Sequence, residues 1–114
     1  MSRQHTTLSP ERWAQFTLFE QMANIGSEVG RAISWREKGN EEYGRQAFYR
    51  ALELTDLTLD DIKHRSRSRL REITRLRECL VDYFAGDNRY HSTEENWQKY
   101  FYPFNFAARS ARSG

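Results

Sequence analysis

The stretch Phe16–Ile33, reading FTLFEQMANIGSEVGRAI, decides the fold class. At 100° per residue it gathers Phe16, Phe19, Met22, Ala23, Ile25, Gly26, Val29, Gly30 and Ile33 on one broad face, leaving Glu20, Asn24, Ser27, Glu28 and Arg31 on the solvent side. A face that wide touches two neighbours, so this helix belongs inside a bundle. Upstream, Ser9-Pro10-Glu11 offers a capping side chain, a proline suited to a first helical position and an acid near the positive end of the dipole, which predicts the helix start. Downstream, Lys38-Gly39-Asn40 predicts its stop. Gly26 and Gly30 each cost a helix interior about 0.8–1 kcal/mol relative to alanine. With Ala23 they line one edge of the apolar face, where the pattern predicts close approach of a partner helix.

Three more segments follow. Residues 40–54 place Tyr43, Ala47, Ala51 and Leu54 on a stripe with Phe48 beside it, and the Thr55–Asp61 run is predicted to interrupt the pattern. From Leu59 to Phe84 a narrow seam carries Ile62, Leu70, Ile73, Leu76, Leu80 and Phe84, and Gly86-Asp87-Asn88 breaks it. Ser92-Thr93-Glu94-Glu95 matches a capping box, predicting a last helix from Ser92 with Trp97, Tyr100, Phe101, Phe104, Ala107 and Ala108 on one stripe. Pro103 inside it removes an amide donor and crowds the Lys99 carbonyl, so a kink or a break is expected. The expected architecture is all-α: a four-helix, up-and-down antiparallel bundle with two long and two shorter helices, because short connections join neighbours. It forms one domain over 9–109, with flexible tails at 1–8 and 110–114.

Composition bounds the function. A chain of 114 residues has room for one domain, and 38% apolar with 30% charged residues is too patterned for disorder and too charged for a membrane span. No window approaches the roughly 20 apolar residues that a bilayer requires. Met1–Pro10 lacks the apolar stretch of a secretory signal, so the expected location is the cytosol. The single cysteine, Cys79, excludes an internal disulfide and reads as a small core residue. No cofactor or metal is expected. Repeated Glu-x-x-His pairs are missing, and the nearest approach is one Asp61-x-x-His64 beside a basic run. His5 lies in the expected flexible start and His91 just ahead of the last cap. Neither a nucleophile–base signature nor a phosphate-cradling glycine loop occurs, so the sequence leans away from catalysis.

Two surfaces remain for binding. Lys63–Arg77 holds seven Lys or Arg and one Glu, a formal +6 within a chain of net +2. Lys63, Arg67, Arg71 and Arg75 recur at four-residue steps and form a candidate phosphate-binding ladder, although a helix face that is solvated or paired with acids of neighbouring helices is the simpler account. Arg69 and Arg77 fall beside the seam and call for a carboxylate, with Glu28 and Glu53 as candidates. The other surface is Tyr102 with Phe106, at i and i+4 on the far side of the last helix, which one small bundle does not account for. The reading is an interaction or assembly module, partnering itself as a homodimer or another protein, with a nucleic-acid-associated protein as the alternative and no membrane partner.

Three resemblances bear on this. Gly44, Phe48 and Ala51 sit at the small, aromatic and small positions of the second helix of a tetratricopeptide repeat, but Glu28, Ala32 and Trp35 depart from that motif's first helix and no second repeat follows. In length and expected architecture the chain is similar to the HEPN group of small prokaryotic domains, although neither His64 nor His91 follows an arginine by the four to six residues of its nuclease motif. The run Asn24–Ile33, the Lys38-Gly39-Asn40 stop, Ala47–Leu54 and Asp82-Tyr83-Phe84 through Asn88 together resemble a family of small uncharacterised prokaryotic helical proteins over about Phe16–Ala108. That resemblance implies a helical fold and carries no catalytic residue across.

Overall fold

The long first helix expected from Ser9 to Lys38 is two helices. In the computed structural model, which describes residues 8–113 and their side chains as far as Ser110, α1 (Pro10–Trp13) ends within one turn. Ser9 opens it, accepting the Arg12 amide at 3.2 Å. The chain restarts at Thr17 as α2 (Leu18–Glu37), where the Thr17 hydroxyl accepts from the Glu20 amide and the Glu20 carboxylate accepts from the Thr17 amide. That reciprocal cap satisfies two amides a helix start leaves orphaned, so a break there costs little. At the other end the Asn40 amide reaches the Trp35 carbonyl at 2.9 Å and the Gly39 amide the Arg36 carbonyl at 3.1 Å. Gly39 supplies the left-handed φ of +82° that this closure needs.

α3 (Glu41–Asp60) runs straight through the expected interruption. Thr55 and Thr58 are buried, and their hydroxyls donate to the carbonyls of Ala51 and Leu54 at 2.7 and 2.8 Å, four residues back. Two threonines that read as turn residues thus satisfy themselves inside a helix. The break comes later. Asp61 ends α3, a 3-10 turn occupies Ile62–His64, and Ser66 caps α4 (Arg67–Ala85). Ile62, expected on the seam, is therefore 71% exposed. α5 (Glu94–Ser113) is capped by Thr93 rather than Ser92: Thr93 Oγ1 and Asn96 Oδ1 each accept the other residue's amide at 3.1 Å. It passes Pro103 unbroken and continues to Ser113, across most of the segment expected to be a flexible tail. The flexibility expected of residues 1–7, with His5, and of Gly114 falls outside the described residues.

The fold is all-helical, with five α-helices and no strand among the described residues, and α2 to α5 are all long. α2 lies at the centre, packed against α3 on one side and α5 on the other, and α3 also carries α4. Met22, Ile25 and Val29 of α2, Ala47 and Leu54 of α3, Leu80 of α4 and Phe101 of α5 form the middle of the core. Because α2 has neighbours on two sides, its buried face is wider and turned from the expected one. Gln21, Glu28 and Ala32 are buried, whereas Phe16 and Phe19 are exposed. At Gly44, where α3 faces α2, an added Cβ would make only an ordinary contact, 3.4 Å from the Ala32 carbonyl oxygen. Among the described residues no helix is long and apolar enough to cross a membrane.

Candidate functional site

On α5, Tyr102 and Phe106 are 61% and 58% exposed, and their rings lie 6.4 Å apart. Beside them a groove of about 350 Å³ runs between α2 and α5, bordered by Gly30, Ser34, Glu37, Glu94, Gln98 and Tyr102. A second hollow of about 290 Å³, sharing Gly26 and Asn105 with the first, includes Ala23 and Ala108. Of Ala23, Gly26 and Gly30, where close approach was expected, Gly26 faces Phe101, and an added Cβ there would stand 2.7 Å from Phe101 Cγ. At Gly30 it would meet open space, and half-buried Ala23 borders the second hollow. At one end of the groove a hydrogen bond and charge repulsion from Glu37 hold the Glu94 carboxyl above its ordinary range.

The four cations expected as one ladder are divided by the 3-10 turn. Lys63 lies within the turn, where its ammonium pairs with Asp61 and donates to the Ala14 carbonyl at 2.8 Å. Arg67, Arg71 and Arg75 remain in register on α4, exposed, and none of the three forms an ion pair among the described residues. Arg75 stacks on Tyr90, its guanidinium carbon 4.8 Å from the ring centre. The loop that presents Tyr90 is fixed by Asp82, whose carboxylate accepts the Arg89 and Tyr90 amides at 2.7 and 3.0 Å. The arginines beside the seam take partners other than the expected Glu28 and Glu53. Arg77 pairs with Asp56 at 2.6 Å, and buried Glu28 instead holds Arg31 and Arg50 at 3.1 and 3.3 Å.

Arg69 finds an imidazole. Its guanidinium is 3.3 Å from His64 Nδ1, and His64 Nε2 lies 2.6 Å from Gln21 Oε1. The Gln21 amide nitrogen donates to the Trp13 carbonyl at 3.0 Å and to Asp61 Oδ2 at 2.9 Å. Those two acceptors orient the Gln21 amide, so the proton of His64 sits on Nε2 and Nδ1 accepts from Arg69. Burial holds the His64 pKa below its ordinary value. For Asp61, burial pushes upward, but hydrogen bonds from Lys63 and Gln21 outweigh it and hold the carboxyl low. Asp61-x-x-His64 is therefore committed to a buried polar knot that ties α1, α2 and the 3-10 turn together. Among the described residues no group of three His, Cys, Asp or Glu side chains gathers. Sequence reading missed Gln21 and Trp13 here, because an amide beside an apolar stripe and a lone tryptophan before a break carry no periodic signal.

A further cleft, of about 270 Å³, opens between α4 and α5 against Leu76, Cys79, Trp97 and Tyr100. Cys79 is half-buried at this cleft, packed against the core from outside. The Tyr100 hydroxyl donates to Glu72 at 3.1 Å, and burial together with that carboxylate raises the phenol's pKa. Compared with protein families, curated proteins and solved structures, the chain matches none.

Proposed function

We propose that this protein is a non-catalytic assembly module that works as a homodimer, joined through the α5 face that carries Tyr102 and Phe106. The observation that carries the reading is the exposure of two large aromatic side chains side by side, their rings tilted by 34°, beside an open groove. Rings of this kind are the usual anchors of interfaces, each able to bury about 150–250 Å². Two-fold pairing would set each copy's aromatics into the other's α2–α5 groove, with the bare backbone at Gly30 as its floor. In this reading the four long helices make an up-and-down antiparallel bundle whose α2–α5 side is the assembling side, and the dimer works in the cytosol. Sedimentation velocity tests it: the wild type runs as a dimer at high micromolar concentration, and the Tyr102→Ser, Phe106→Ser double variant runs as a monomer of unchanged helicity. A wild-type monomer at that concentration overturns the proposal.

A second reading rests on Arg67, Arg71 and Arg75, which face solvent without carboxylate partners among the described residues, and on the Arg75–Tyr90 stack beside them. Cations at phosphate spacing next to an exposed ring suit a backbone-directed, weakly sequence-specific contact with single-stranded nucleic acid. Lys63 belongs to the polar knot and adds little. Filter binding to mixed-sequence DNA and RNA should show affinity that falls with salt and is abolished by Arg67→Glu with Arg71→Glu. Absence of binding at low salt ends this reading.

A further inference from the structure

We propose that the cleft between α4 and α5 binds a small aromatic carboxylate, with the indole N–H of Trp97 and the guanidinium of Arg75 receiving its oxygens. This goes beyond the assembly reading and uses a different side of the molecule. The two helices meet through side chains: Tyr83 and Trp97 rings are 5.8 Å apart, and Tyr100 reaches across to Glu72. The space held open between them is walled by Leu76, Cys79, Trp97 and Tyr100, so an apolar ring of one or two cycles fits both its size and its lining.

Polar chemistry selects the substituent. Trp97 is 6% exposed, and its indole nitrogen is buried without a hydrogen-bond partner. A buried donor left unpaired costs about 1–3 kcal/mol, and an incoming oxygen would remove that penalty. Trp13 marks the contrast, since its indole donates to Thr58 at 2.9 Å. Of the two charged groups in the α4–α5 cleft, Glu72 is engaged by Tyr100, whereas Arg75 is a cation resting on a ring and free to take an anion. Trp97 also borders the α2–α5 groove, where Glu37 and Glu94 face an incoming carboxylate with no cation in the lining, whereas the α4–α5 cleft sets Arg75 against its single carboxylate, Glu72. The charge balance therefore favours the α4–α5 side.

Benzoate and the larger naphthoate are the probes, read through the indole N–H resonances of isotope-labelled protein, with Trp97 assigned by its loss in Trp97→Phe. Titration should move the Trp97 resonance and leave that of Trp13 in place. Arg75→Gln should weaken binding about tenfold, the factor expected for one charge-assisted hydrogen bond. Cys79→Leu, which fills the cleft, should abolish it, and Cys79→Met provides the same block should leucine prevent folding. Gly30→Leu, which fills the other groove, should leave the titration unchanged. So should the Tyr102→Ser, Phe106→Ser pair, so failure of the assembly reading and failure of this one remain separate results. The proposal is overturned if Trp97 does not respond to millimolar naphthoate. It is equally overturned if the response survives the Cys79 variants, disappears in Gly30→Leu, or is matched by uncharged naphthalene.

Discussion

Gly26 and Gly30 occupy one helix at equivalent spacing and should respond oppositely to the same change. Alanine at Gly30 adds a methyl in open space and gains helix propensity, so Gly30→Ala should stabilise by about 0.5–1 kcal/mol. At Gly26 the methyl would press into the base of the Phe101 ring, and overpacking of about 1–3 kcal/mol outweighs the gain. Chemical denaturation of the two single variants checks the pair. His64 gives a pH signature. Its folded pKa lies below the ordinary 6.5, so the unfolded chain binds a proton more readily. The stabilisation is whole above pH 6.5 and is lost as pH falls below it, because a second proton would put a charge on a ring buried away from water, and near Lys63 and Arg69. Asp61 is held below 3.8, so its contribution is present above that value and lost beneath it. Thermal unfolding should show the first decline between pH 7 and 5 in the wild type and a flat profile there in His64→Leu. None of this was visible in the sequence, where His64 and Asp61 read as a faint metal spacing. Helical periodicity places side chains on a face, but it says nothing about an amide arriving from forty residues away.

Among the elements, the all-helical character and most of the apolar stripes were legible, because burial of a continuous stripe leaves a 3.6-residue period, whereas the expected two long and two shorter helices are four long ones and a single-turn α1. Where they begin and end was less so, since a cap is a local competition. Thr17 and Glu20 win it against continuation from α1, although Ser9-Pro10 looked like the better start. Thr17→Ala should cost about 1 kcal/mol by removing the reciprocal cap, measured in denaturant. The reverse error fell on Thr55 and Thr58, whose hydroxyls bond back to their own helix. Pro103 is a third case. α5 runs through it with one amide missing on its exposed side, a penalty of up to about 3 kcal/mol that packing on both sides of the proline offsets. Pro103→Ala should therefore raise the melting temperature by several degrees, and no change would mean that the ring has a packing role of its own.

At the scale of the whole molecule, the sequence conveyed an all-helical core and two spare surfaces. The breadth of the first apolar face conveyed that α2 touches two neighbours, but not where on the helix they sit. Gln21 and Glu28, read as unremarkable or solvent-facing, are buried because the covered face is turned from the apolar stripe, and a helical wheel ranks side chains by polarity without placing the neighbouring backbones. The same order, α5 on α2 on α3 on α4, leaves α4 packed closely on α3 alone, with α5 reached only through side chains. α4 buries Ile73, Leu76 and Leu80, and its other long flank looks across a cleft instead of into a neighbouring backbone. Cooperative opening is cheapest where least apolar surface must be released. In heavy water, the amides of α4 should lose their protection together and well before those of α2 and α3. This margin would swing out as one stiff flap, hinged at Ser66 and the Gly86 turn, while the rest of the molecule stays shut.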